Sequence, residues 1–137
     1  MKRPDEERLA FVDQWLRKAD ADLIAAERLQ SDDDDARLSE VIAFHCQQAT
    51  EKYLKAFLVW HKVEFPKTHD LERLRHLVSS VNRELSELLR IADVLTPFGV
   101  DGRYPGDGPE VPIGGESELV ELARFVRTTV AAALDSN

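Results

Sequence analysis

Phe44-His45-Cys46-Gln47-Gln48-Ala49-Thr50-Glu51-Lys52-Tyr53-Leu54-Lys55-Ala56-Phe57-Leu58 is the stretch that decides the fold. No proline or glycine falls between Asp35 and Pro66, so one long helix is expected from about Ala36 to Trp60. A helical step of roughly 100° per residue sorts the segment into two arcs. Ile42, Ala43, Cys46, Ala49, Tyr53, Leu54, Ala56, Phe57 and Trp60 share a wide apolar arc. His45, Gln48, Glu51, Lys52 and Lys55 share the opposite one, with Val41, Phe44 and Val59 intruding. A helix apolar over most of its circumference belongs at the centre of a bundle. Its polar stripe is then either a solvated face or the floor of a site.

The flanking sequence supplies the remaining helices. A first helix is expected from about Asp5 to Gln30, with Leu9, Val12, Trp15 or Leu16, Ala19, Leu23 and Ala26 recurring at steps of three and four. Trp15 is expected as a core anchor. Ser31 to Asp35 makes the turn, and an aspartate at its end can cap the central helix. Asp32-Asp33-Asp34-Asp35 is expected to be a solvated turn, because a metal loop spaces its oxygen ligands. Pro66 enforces an extended entry at Phe65. Thr68 is the expected N-cap of a third helix, with His69 and Asp70 in its first turn and Leu71, Leu74, Leu77, Val78 and Val81 on its apolar side. Asn82 is the next break, followed by a helix lined by Leu85, Leu88, Leu89, Ala92 and Leu95. A last helix is expected from about Ser117 to Leu134.

Phe98 to Gly115 has a different composition. It holds all six glycines of the chain, with Pro105, Pro109 and Pro112 among them. A connection of this length is uncommon in a compact domain and is usually functional or mobile. The glycines make no phosphate loop, since no strand precedes them and Gly-Lys-Ser/Thr is absent. The expected architecture is all-α: one domain over 1–137, a mostly antiparallel up-and-down bundle of about five helices, with this long Gly/Pro-rich loop before the last.

Composition narrows the function. The 137 residues carry a net charge of −8, which argues against broad binding to a phosphate backbone. It leaves room for a local cationic patch. No apolar run approaches the roughly 20 residues that span a bilayer, and the N-terminus leads into charge rather than an apolar signal segment. The single cysteine, Cys46, lies on the apolar arc and fits a reducing cytoplasm. No His/Cys cluster has zinc spacing, so no metal and no cofactor are expected.

The run His45-x-x-Gln48-Ala49-x-x-Lys52-x-x-Lys55-Ala56, the Thr68-His69-Asp70-Leu71 sequence and Arg103-Tyr104-Pro105 together resemble the HEPN domain family over nearly the whole chain. The resemblance implies an all-helical bundle, usually a homodimer, often encoded beside a small nucleotidyltransferase in toxin–antitoxin-like pairs. Some HEPN members are metal-independent RNases. Those resemble one another in an Arg followed four to six residues later by a His, late in the chain. No such motif occurs here: Arg37 precedes His45 by eight positions, and no histidine follows His76.

Candidate site residues follow from both lines of argument. His45, Gln48, Lys52 and Lys55 form a ladder of donors suited to a phosphate or nucleotide, lysine giving point charge and the others orientation. His69 either faces the same site or orients its helix start. Arg103 offers a guanidinium fork and Tyr104 a stacking ring. The alternatives for these groups are bland ones: a hydrogen-bonded boundary histidine, an arginine paired with a carboxylate, a tyrosine plugging the bundle end. His61 and His76 are expected to be exposed. The expected function is a non-catalytic subunit binding a nucleotide or other phosphorylated ligand beside a nucleotidyltransferase partner. The alternatives are an RNase with a composite His45/Arg103 site, and a pure dimerisation or interaction module.

Overall fold

A computed structural model describes residues 4–31, 35–99, 110–111 and 115–135. Among them are five α-helices and no strand: α1 (Pro4–Ser31), α2 (Ser39–Trp60), α3 (Leu71–Ser79), α4 (Arg83–Leu88) and α5 (Glu116–Asp135). A 3-10 turn, Ala36–Leu38, leads into α2, and a 3-10 segment, Leu89–Phe98, continues α4. The fold is the expected all-α bundle.

The central position of α2 follows from its composition. Ile42, Cys46, Ala49, Tyr53, Phe57 and Leu58 are all buried, and α2 packs against α1, α3, α5 and the 3-10 segment. Ala19, Leu23 and Ala26 of α1 face it from one side, and Val120, Ala123, Val126 and Val130 of α5 from another. The small alanines on α1 let the two long helices approach closely, and each buried leucine or phenylalanine contributes roughly 1.5–3 kcal/mol by leaving water. Cys46 sits in this core, and burial pushes its thiol up to about 12.

Local signals set the helix boundaries. Asp35 caps the 3-10 turn, its carboxylate accepting from the Arg37 amide at 3.0 Å. The N-cap of α3 is Asp70 rather than Thr68: Asp70 Oδ1 accepts from the amides of Glu72 (3.0 Å) and Arg73 (3.4 Å). Thr68 acts one step earlier, its hydroxyl accepting from the Asp70 amide. A carboxylate at the positive end of the helix satisfies more donors than a hydroxyl does, so it takes the cap. Asn82 caps α4, as its place at the break suggests. The fourth helix does not stay α-helical to Leu95. After Leu88 the chain tightens, and Leu89, Ala92 and Leu95 are buried at steps of three, the spacing that lines up one face of a 3-10 helix. Leu88, expected in the core, is exposed. So is Leu9, at the outer edge of α1. Arg75 of α3 anchors the 3-10 segment: its guanidinium forks onto Asp93 at 2.9–3.2 Å and also reaches Ser86.

Candidate functional site

The polar stripe of α2 is neither one solvated face nor one continuous floor. It divides into two rows, each with its own partner. The first row is Gln47, Glu51 and Lys55, successive turns of one helix line. Glu51 is 4% exposed and Lys55 9% exposed, so this row is interior. The connection from α2 to α3 lies across it. Glu51 Oε1 accepts from His69 Nδ1 at 2.7 Å and from Gln47 Nε2 at 3.3 Å, while Oε2 accepts from Lys55 Nζ at 3.0 Å. Gln47 also donates to the His69 carbonyl at 3.0 Å, and its own carbonyl accepts from Gln48. The Lys55 ammonium lies 5.4 Å from the Trp15 ring and 5.7 Å from the Phe65 ring. Every charge in the knot is thus met by an opposite charge, a hydrogen bond or a π face.

The knot explains why a helix at the centre of a bundle tolerates three polar residues in line. Phe65 and His69 close over them, and Trp15, half-buried rather than central, packs edge-on against Phe65. The knot also explains one glycine. A Cβ at Gly99 would stand 2.4 Å from the Gln47 side-chain carbon. Only glycine lets the end of the 3-10 segment pass so near a wholly buried glutamine.

The second row faces α1. Asp22, 13% exposed, receives both cationic candidates: His45 Nδ1 reaches its Oδ1 at 2.9 Å, and Lys52 Nζ donates to Oδ2 in a short contact. An ionised carboxylate only accepts, so Nδ1 carries the proton and Nε2 is left for a ligand. Lys52 keeps further N–H donors beyond the one given to Asp22. Both side chains are partly accessible, and one carboxylate fixes the rotamers of both.

The candidates therefore separate. His45 and Lys52 are brought together. Gln48 lies beside them but spends its amide on Gln47. Lys55 belongs to the buried knot and is turned away from His45 and Lys52 in its partners. His69 pins the α2–α3 connection through Nδ1 and is 62% exposed over its side chain. Arg103 and Tyr104 lie outside the described residues. His76 is exposed, as expected, but His61 is not. Its ring packs at a tilt against Phe57, with centroids 4.4 Å apart, its Nε2 is buried without a hydrogen-bond partner, and burial holds its pKa below the usual histidine value.

The residues that complete the site, Asp22, Gln47 and Glu51, were not candidates. Glu51 stands on the polar arc and was visible there. Gln47 lies at the arc's edge, and Asp22 belongs to a charged face of α1 that offers no local hint of its partners. Among the described residues no group of three or more His, Cys, Asp or Glu is arranged to hold a metal ion. No helix among them is long and apolar enough to cross a membrane.

Compared with models of known families, the chain matches the HEPN domain over residues 12–133. Comparison with curated proteins and with solved structures gave no match.

Proposed function

Since the chain belongs to the HEPN domain family, we propose that it is a non-catalytic binding subunit for a nucleotide or other phosphorylated ligand, working beside a nucleotidyltransferase partner. The observation that carries this reading is the pairing of His45 and Lys52 on one carboxylate, Asp22. A shared anchor holds an imidazole and an ammonium side by side before a ligand arrives, which removes part of the ordering cost of binding. An arriving phosphate takes the outer donors of Lys52, with His45 Nε2 as its second contact. Asp22 also offsets the positive charge that Lys52 brings to the pair. That suits a single phosphoryl group better than a polyanionic backbone, and the chain's −8 points the same way. His69, Arg103 and Tyr104 are proposed as outer contacts, and Gln48 as a neutral acceptor through its carbonyl; Lys55 drops from the ligand set because Glu51 and two aromatic rings occupy it.

The test is a titration with AMP, ATP, GTP and inorganic phosphate, following the thermal midpoint. A ligand that binds only the folded chain stabilises it by about 2.7 kcal/mol at a hundredfold excess over Kd. A saturable rise that disappears in Lys52→Ala supports the reading. A flat response to every phosphate compound refutes it and leaves the interaction module.

A second reading is favoured by one bond. A carboxylate on Nδ1 orients an imidazole for proton transfer at Nε2, and a neighbouring ammonium can stabilise charge developing on a phosphorane. The Asp22–His45–Lys52 set therefore also suits metal-independent RNA cleavage. RNA degradation in the presence of chelator, lost in His45→Ala, is the result that would favour it over simple binding.

A further inference from the structure

Where α1, α2 and α5 meet, away from the His45 row, a cavity of about 360 Å³ opens to solvent. That volume lies in the range of small-molecule pockets, roughly 300–1,000 Å³. Its walls are apolar, built chiefly from Leu16 of α1, Trp60 of α2 and Leu134 of α5. Charged groups also line it. Asp20 Oδ1 accepts from the Tyr53 hydroxyl and pairs with Arg127 Nε at 3.2 Å. No described side chain hydrogen-bonds to the other oxygen, Oδ2. Asp135 adds a second carboxylate to the lining.

We propose that this cavity binds a small primary amine with an apolar or aryl body, its ammonium seated on Asp20 Oδ2. Charge decides the class of ligand. Two carboxylates line the cavity against one guanidinium, so the lining as a whole keeps one uncompensated negative charge. Arg8, whose guanidinium lies 5.8 Å from the Trp60 ring, is itself paired with Asp5 at 3.0 Å and adds no net charge. A carboxylate ligand of the same shape would meet Asp20 and Asp135 with the wrong sign. Arg127 leaves room for a ligand, because its side chain is 58% exposed and its contact with Asp20 runs from Nε to Oδ1. The apolar body fills a space that is otherwise greasy wall facing water, which the hydrophobic effect favours. Tyr53 has a defined part as well. Its hydroxyl holds Asp20 in place, so the free oxygen presents one fixed direction to the ligand. The site is independent of the His45 pair, since it uses none of its residues.

Isothermal titration calorimetry with 2-phenylethylamine and its acidic counterpart 3-phenylpropanoate tests the proposal on the full chain. Saturable binding of the amine, with the acid at least about tenfold weaker, is expected. Asp20→Asn should weaken the amine by about tenfold or more. Ala131→Trp should abolish binding, because residue 131 lines the cavity from an exposed position and a large ring there occupies the space the ligand needs. Should Asp20→Asn lower the melting temperature, the Ala131→Trp arm decides. Equal affinity for amine and acid overturns the proposal. So does an absence of saturable binding up to millimolar amine, or unchanged binding in a folded Ala131→Trp chain.

Discussion

Gln47 is the residue on which most of the α2 polar chemistry turns, because it touches the connection before α3, the 3-10 segment and Glu51 together. Its fit against Gly99 leaves no room for a methyl group. Gly99→Ala should therefore cost about 1–3 kcal/mol, the usual result of overpacking a filled interior. The midpoint of urea unfolding checks it, and an unchanged midpoint would mean that Gln47 has space to retreat. Glu51→Ala should cost more. It strands a lysine that is 9% exposed, and breaking a buried pair typically costs roughly 3–5 kcal/mol. The lower end is expected, since Lys55 keeps the Trp15 and Phe65 rings and His69 can turn to water. The same denaturation series measures it. These two residues also mark where sequence and structure part. The polar arc of α2 was legible from its 3.6-residue period, and His45 and Lys52 could be picked out. That the arc splits was not legible, because the split is made by Asp22, thirty residues before Lys52, and by His69, eighteen after Glu51. Periodicity places a side chain on a face and says nothing of what covers that face.

Elements were legible to the extent that their ends are chemical. α1, α2 and α5 lie within a few residues of where capping groups, prolines and glycines put them. The errors fall where two capping groups compete or where the helix type changes. At α3, Thr68 and Asp70 both offer an oxygen, and the second captures two amides. Asp70→Ala should lower stability by about 1 kcal/mol and Thr68→Ala by less, since only the former orphans helix amides. Urea midpoints of the two variants give the order directly, and the reverse order would restore Thr68 as the cap. After Leu88, the steps of three from Leu89 through Ala92 to Leu95 are compatible with either an α or a 3-10 helix over so short a span. Arg75, gripping Asp93 from α3, and Thr96, whose hydroxyl accepts from the Leu71 amide, are tertiary contacts that hold the tighter form.

The whole molecule is organised by one buried helix, and its response to acid should show it. His61 closes α2 with its ring against Phe57, and burial lowers its folded pKa from 6.5. Above pH 6.5 neither state carries this proton, and the group contributes no pH dependence. As pH falls through 6.5 the unfolded chain takes up the proton first, so stability drops, levelling once the folded histidine titrates as well. His61→Gln should flatten that portion of the curve while leaving the acid loss from carboxylates in place. Urea midpoints between pH 8 and pH 5 compare the two chains, and parallel curves would show that His61 gains its proton without cost. One further property follows from where the two tryptophans sit. Trp60 lines the amine cavity, whereas His45 lies fifteen residues back along α2, about 22 Å away at the rise of a helix. With Trp15 replaced by phenylalanine, the remaining indole emission belongs to Trp60, so a ligand entering the cavity changes the colour or brightness of the protein while a phosphate at His45 leaves it dark to the observer. The molecule carries its own lamp at one of its two candidate sites, and a single cuvette can tell them apart.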